Sequence, residues 1–421
     1  MPLHFGITAS DCKEGNSNMS PGQIKPRKRH CMVVYAYYPL AETRVQREAE
    51  ALLGRDYEVD VICLRLPTEV NYEVVRGVNV YRLPVQRGGW QGFAARLKEY
   101  TLFFILATFK LAWLHQQKQY DVVQVHNLPD FLVFSALWPK LKNTRVILDI
   151  HDVTPEFYSS RSGRSLQDWR AQPVIWQEQL ACRFADSVIT VTEPWRQALI
   201  QRGVPANKTS VVMNVPDDRL FHRNISCQTA GQNDDNTFCL IYHGVQSYRH
   251  GLDILLHAIH RVRSQIPGLQ LILHGNGDAH KDLVNLANEL QLTDCVHFST
   301  KFVPVSQLPG LVFSADVGVV PYRRDIFTDG ILPTKLMEYI ALGMPAITSR
   351  TPVIETYFDE TMVCFFEPDN IDELASSILT LYRNPARREA LVQGSAQFMQ
   401  KYSWSTQADN YVHLVDQLGA Y

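Results

Sequence analysis

The strongest constraint on this chain is an alternation sustained along nearly its whole length. Short apolar runs such as YDVVQVHN, TRVILDIHD, TFCLIYHG and ADVGVVPY alternate with segments of helical period. The latter include VQREAEALLGR, LDILLHAIHRVRSQ, KDLVNLANELQL and DELASSILTLYRN. Near-continuous apolar strands are covered on both faces, and intervening helices are what cover a parallel sheet. The same pattern marks HCMVVYAYY, YEVDVICLR, VNVYRLPV, DSVITVTE and KTSVVMN in the first half, and LQLILHG, DCVHFST, MPAITS and TMVCFFEP in the second. At 421 residues one sheet would exceed an ordinary core. The expected fold is therefore α/β, with two Rossmann-like, doubly wound parallel sheets facing a central cleft. The break is expected in the polar segment MNVPDDRLFHRNISCQTAGQNDDNTF, at about residues 214–237.

Composition narrows the class. No run reaches the ~18 apolar residues of a membrane span, and the N-terminus lacks the apolar region of a secretory signal. Residues 1–28, rich in Gly, Ser, Asn and Pro, are expected to be a disordered tail. The 8 cysteines form no CxxC pair and several sit in apolar runs, which points to a reducing cytoplasm without disulfides or structural zinc. The sequons at Asn207 and Asn224 are accordingly read as chance. Residues 1–210 carry 26 Lys/Arg against 20 Asp/Glu, and residues 211–421 carry 15 against 23. That asymmetry suits two domains of different character and is too mild for a nucleic-acid partner. The segment Arg96–His115, RLKEYTLFFILATFKLAWLH, admits two readings. It is a helix buried against the first sheet, or a partly exposed, basic-rimmed patch touching a membrane.

Ligands of open α/β sheets bind beyond the carboxyl ends of the strands. Polar residues cluster there at His126-Asn127, His151-Asp152, Thr192-Glu193, His243-Gly244 and His274-Gly275. The richest stretch is DGILPTKLMEYIALGMP, Asp329 to Pro345. Pro333 suits a first helical turn, and Thr334 brings a hydroxyl to unpaired backbone N–H groups. A helix N-terminus favours an anion, so Lys335 at that end calls for a compensating phosphate. Glu338, three residues on, shares its face and can accept hydrogen bonds from vicinal ribose hydroxyls. A second cation, Arg249 in YHGVQSYRHGLDIL, opens a helix after another strand and completes a two-cation diphosphate clamp. Neither G-x-G-x-x-G nor a P-loop occurs, and no close set of His, Asp or Glu at metal spacing stands out. Charge neutralisation is thus expected from Arg249, Lys335 and the helix end, with no metal and no cofactor.

At these residues the chain resembles family-4 glycosyltransferases of the GT-B fold. TRVQREAEALL, YDVVQVHNLPDFLVFSAL, VILDIHDVTPEFY, YHGVQSYRHGLDIL, LHGNGD and LPTKLMEYIALGMPAI fall in family order. The closest subgroup builds bacterial exopolysaccharide and surface glycans. The resemblance implies an acceptor-side domain at 29–214, a donor-binding domain at 215–400 and a C-terminal helix, 401–421, returning to the first domain. It implies metal-independent, retaining transfer of a hexose-type sugar from a nucleoside diphosphate to a glycan or lipid-linked acceptor, in the cytoplasm or at the inner face of its membrane. Arg249, Lys335 and His151 would be catalytic. Donor contacts would come from Glu338, Gly330, Ile331, Leu332, Thr334, Asp329, Gly244 and Gly275. His126, Asp152, Glu156, Arg44 and Arg47 would lie on the acceptor side, the arginines where relatives carry a glycine-rich loop. Glu338 is the second glutamate of the family's E-x7-E motif, but the first position holds Gly330, with Asp329 adjacent. That departure keeps two alternatives open: a sugar-nucleotide epimerase or hydrolase of the same fold, and a non-catalytic nucleotide-sugar-binding partner.

Overall fold

The computed structural model describes residues 27–40, 42–88, 93–223 and 237–420. Most of the N-terminal tail and of the polar segment between the domains lies outside these residues.

The first sheet contains β1 (Arg29–Val33), β2 (Glu58–Leu64), β3 (Tyr72–Val75), β4 (Val78–Leu83), β5 (Val122–His126), β6 (Arg145–Ile150), β7 (Ser187–Thr190) and β8 (Thr209–Val211), in the order β3-β4-β2-β1-β5-β6-β7-β8. The second contains β9 (Phe238–His243), β10 (Leu269–His274), β11 (Val296–Ser299), β12 (Val317–Val320), β13 (Ala346–Ser349) and β14 (Cys364–Phe366), in the order β11-β10-β9-β12-β13-β14. All pairings are parallel except β3–β4. Each order reverses once, between β1 and β5 and between β9 and β12. Crevices at such reversals are where ligands enter a doubly wound sheet. The strand β3 was not anticipated. It is an exposed edge of four residues, YEVV, joined to β4 by Arg76-Gly77, both at positive φ.

The helix Phe93–Lys118 is buried against the sheet along one side, as the first reading expects, and exposed along the other. Phe103, Ala107, Leu111 and Leu114 are fully buried against the sheet, while Leu102, Ile105, Phe109 and Trp113 face outward and are exposed. The helix is apolar on both sides although only one side is covered.

Two connections join the domains. The chain crosses after β8, and it returns through the helix Trp404–Leu418. Trp404 packs with the second core, while Tyr411, Val412 and Val415 pack with the first.

Candidate active site

The helix Thr334–Ala341 lies close to the second sheet because Gly318 on β12 has no side chain. A Cβ there would fall 2.2 Å from the Tyr339 ring. Leu336, Met337, Tyr339 and Ile340 are buried, each contributing about 1.5–3 kcal/mol of apolar burial. This anchoring leaves Lys335 and Glu338 on the face toward the cleft. The helix begins without a side-chain cap, so its first N–H groups stay available to a ligand.

Lys335 Nζ donates to the Tyr322 hydroxyl at 2.8 Å and lies over the rings of Tyr242 and Tyr322, at 4.8 and 5.0 Å. Burial opposes its charge, but Tyr242, Tyr322 and Glu338 outweigh that and push its pKa up. No carboxylate lies within ion-pair distance of Lys335 or Arg249 among the described residues. Arg249 lies over Phe157 and Phe327, at 5.8 and 5.3 Å. By contrast Arg44, Arg202 and Arg323 are all ion-paired. Both cations are thus held by aromatic faces, and neither is ion-paired to a carboxylate among the described residues. The Glu338 carboxylate is 3.1 Å from His243 Nε2 at the end of β9. Gly244 lies beside Lys335, and Gly275 lies behind Gly244, where a Cβ would meet Gly244 O at 2.0 Å. Gly275 thus packs one loop against the other and lines neither cleft cavity.

Two cavities open where the domains meet. One of 270 Å³ is lined by His151, Asp152, Val191, Thr192, Ile331, Leu332, Thr334 and Met337, among others. The other, 460 Å³, includes Asp152, Phe157, Arg249, Asp278, Tyr322 and Phe327. A larger cavity, 680 Å³, lies at the opposite strand ends around Asp121 and Arg145. The cleft is nevertheless the candidate site, because the unpaired cations and the strand carboxyl ends converge there.

On the N-terminal side, Asp149 organises a cluster that the sequence reading missed. Its Oδ2 lies 3.1 Å from His126 Nδ1 and 3.2 Å from His151 Nε2, and Arg44 grips both of its oxygens at 2.9 and 3.0 Å. Burial alone would depress His151, but Asp149 and Glu42 (3.7 Å from Nδ1) raise its pKa to about 9. Burial lowers His126. His126, Asp149 and His151 also have the proximity of metal ligands, contrary to the expectation that no such set exists. The Arg44 guanidinium already compensates Asp149 and would oppose a further cation, so the donor set fits proton sharing better than a metal.

Three acceptor-side expectations are corrected. Arg44 is 2% exposed and bound to Asp149, Glu48 and the Val212 carbonyl, so it offers no charge to the cleft. Arg47 is buried over the Trp404 ring, bonded to the Val215 carbonyl and Asn214 Oδ1. Glu156 is buried against Arg202, at 2.6 Å. All three brace the scaffold. Asp329 turns from the cleft toward Arg324, at 3.2 Å. Gly330 is pressed against Trp195, which sequence reasoning had not singled out, and its carbonyl accepts from Thr192 Oγ1 at 3.2 Å.

Two family models match in tandem: the glycosyl transferase 4-like domain over residues 41–214, and glycosyl transferases group 1 over residues 228–398. The chain is a family-4 glycosyltransferase. A GDP-mannose-dependent alpha-(1-6)-phosphatidylinositol monomannoside mannosyltransferase of Mycolicibacterium smegmatis is 26% identical over 174 residues. That match covers 40% of this chain and 44% of the relative's length. Among solved structures, sucrose-phosphate synthase from Thermosynechococcus elongatus superposes with a TM-score of 0.76 at 21% identity, covering 94% of this chain and all (100%) of that one. Anabaena Alr3699/HepE, solved with UDP, gives 0.67 at 16% identity, covering 93% and 100%. These structures share the GT-B fold, two parallel-sheet α/β domains about a cleft, with this glycosyltransferase.

Proposed function

We propose that this glycosyltransferase moves a hexosyl group from a nucleoside-diphosphate sugar to a hydroxyl of a glycan or lipid-linked acceptor, with retention and without a metal ion. The observation that carries the reading is the pair of cations without an ion-pair partner among the described residues, Arg249 and Lys335, at two strand-to-helix crossovers of one sheet. They suit the two phosphates of a departing diphosphate, with the uncapped helix end beside Lys335 adding its dipole. Glu338 suits the ribose hydroxyls. In the step itself the anomeric C–O bond to phosphate breaks as the acceptor oxygen bonds the same face of the anomeric carbon. The acceptor's proton passes to the leaving phosphate oxygen. His151, held protonated, faces the transferred sugar across the cleft and stabilises negative charge building on the leaving group.

The test is incubation of the protein with UDP-glucose or GDP-mannose and a lipid-linked glycan acceptor, with and without EDTA. A new glycoside of unchanged anomeric configuration, formed equally in EDTA, is the expected result. An inverted product refutes retention, and loss of activity in EDTA restored by a divalent cation refutes metal independence. Free nucleoside diphosphate without a glycoside assigns the hydrolase alternative, and binding without turnover assigns the non-catalytic one.

The acceptor reading extends to the outer face of helix Phe93–Lys118. No helix among the described residues is long and apolar enough to cross a membrane. Leu102, Ile105, Phe109 and Trp113 form one exposed stripe, and Arg96, Lys98, Lys110 and Lys118 lie on the same helix. An apolar stripe with basic neighbours suits the cytoplasmic, anionic surface of a bilayer. Sedimentation with phosphatidylglycerol vesicles should fall sharply for Phe109→Glu/Trp113→Glu, and unchanged sedimentation would refute the contact.

A further inference from the structure

The family pattern places a carboxylate at position 330 to contact the transferred sugar, and this chain has closed that position. A Cβ on residue 330 would lie 2.3 Å from Trp195 Cη2. Trp195 is itself 4% exposed and tilted against Phe327, so it has little room to retreat. The neighbouring carboxylate does not substitute. Asp329 pairs with Arg324 and lines neither cleft cavity. The C-terminal domain therefore brings no acid from this loop to the sugar.

The opposite wall does bring one. Asp152 follows β6 and lines both cavities, the 270 Å³ one with His151 and the 460 Å³ one with Arg249. Its backbone is pinned on both sides by Asn127, whose Nδ2 donates to the Asp152 carbonyl at 2.6 Å and whose Oδ1 accepts from the Asp152 N–H at 3.4 Å. Its carboxylate, in contrast, accepts no hydrogen bond from any described residue. Burial raises its pKa against the opposing charges of His151 and Arg249, with Glu42 adding to the rise. Other acids near the cleft are committed or exposed. Asp130 accepts from Asn127 at 2.9 Å, Glu156 is held by Arg202, Glu42 faces His151, and Asp278 stands in solvent.

We propose that Asp152 is the sugar-reading carboxylate of this enzyme, accepting hydrogen bonds from hydroxyls of the transferred hexose in place of a side chain at 330. The carboxylate comes from the domain facing Arg249 and Lys335, so the two halves of the donor are read by different domains. Arg249, Lys335 and Glu338 hold the nucleotide on one side. Asp152 already shares a cavity wall with Arg249 and Tyr322 of the facing domain.

This assignment rests on the glycosyl-transfer reading above, so nucleotide and sugar are measured separately. The unmodified protein and its Asp152→Asn and Glu289→Ala variants, the latter an exposed acid on the helix His280–Glu289 away from both cleft cavities, are titrated with UDP and GDP by calorimetry. They are then assayed with UDP-glucose, GDP-mannose and the deoxy analogues of whichever donor is turned over. A hydrogen bond to a charged group contributes about 1.5–3 kcal/mol, equivalent to roughly 10- to 150-fold. In Asp152→Asn the preference in kcat/KM for the intact sugar over its deoxy analogue should fall by that factor. Nucleoside-diphosphate affinity should stay within about twofold, and Glu289→Ala should keep the preference. Retained discrimination in Asp152→Asn overturns the proposal. So does a change confined to acceptor KM, or an equal loss of nucleoside-diphosphate binding. If the unmodified protein binds neither UDP nor GDP, the function reading fails, and this assignment with it.

Discussion

Replacing Lys335 by methionine removes one charge from the clamp while keeping an unbranched side chain between Tyr242 and Tyr322. Two unit charges about 4 Å apart attract by roughly 4 kcal/mol at an effective dielectric of ~20. Loss of a preorganised charge donor typically costs ~3–4 kcal/mol of transition-state stabilisation. Steady-state turnover at saturating donor should therefore fall by about 10²–10³. Folding should scarcely change, because Lys335 has no carboxylate that its removal would orphan. What the folded state loses is one hydrogen bond to Tyr322 and two ring contacts, offset by relief of a buried charge. Differential scanning fluorimetry should place the melting temperature within about 4 °C of the parent. A variant with the parental melting temperature and turnover within threefold of the parent would refute the clamp. A variant that loses rate only because it unfolds would show Lys335 to be structural.

Three further outcomes are expected. His151 is raised from 6.5 to about 9 by Asp149 and Glu42 against the cost of burial, a contribution on the order of 3 kcal/mol. Because the folded pKa is the higher one, that stability is complete below about pH 6.5 and lost as pH rises through 9. Urea midpoints and kcat should both fall over that window in the parent, and a His151→Gln variant should lack this component of the stability profile. Arg44→Met removes the buried guanidinium that both Asp149 and Glu48 share, leaving Asp149 to its histidines and Glu48 to Gln124, and should cost about 3–5 kcal/mol in chemical unfolding; a loss below 1 kcal/mol would refute the ion-pair core. Gly330→Ala forces a methyl into Trp195 at an overpacking cost of about 1–3 kcal/mol. It should depress kcat/KM with unchanged nucleotide affinity, and Trp195→Ala should restore part of the loss in the double variant.

Much of the fold was legible because its signal is periodic. Each of the thirteen apolar runs singled out contains a strand of the structure, and four helical segments coincide with helices. The exception, β3, has the pattern YEVV, half polar and too short to stand out, and it exists because β4 offers it an edge. Residues of the site were legible where their chemistry depended on local position, as at the first turn of helix Thr334–Ala341. They were illegible where direction mattered. Arg44 and Arg47 sit on the helix Thr43–Leu53 with Val45, Glu48, Ala49 and Leu52, all buried, so their charges point inward. A linear sequence places a cation near a cleft without saying which way it points. The Asp149 cluster was missed for a related reason: its members come from β5, β6 and a helix, and only sheet register brings them together.

The two crossings between the domains limit how the molecule can be recombined. The chain leaves the first sheet after β8 for the C-terminal domain, and the helix Trp404–Leu418 rejoins the first domain, with the Tyr411 hydroxyl donating to Gln124 on β5 at 2.6 Å. Arg47 fastens the outgoing segment at Val215 and the returning helix at Trp404 together. A chimera meant to exchange donor preference with a relative therefore needs two junctions, one on each crossing. Cutting only once would graft a foreign helix onto the N-terminal domain's core and take Tyr411 from beneath the Asp149 cluster.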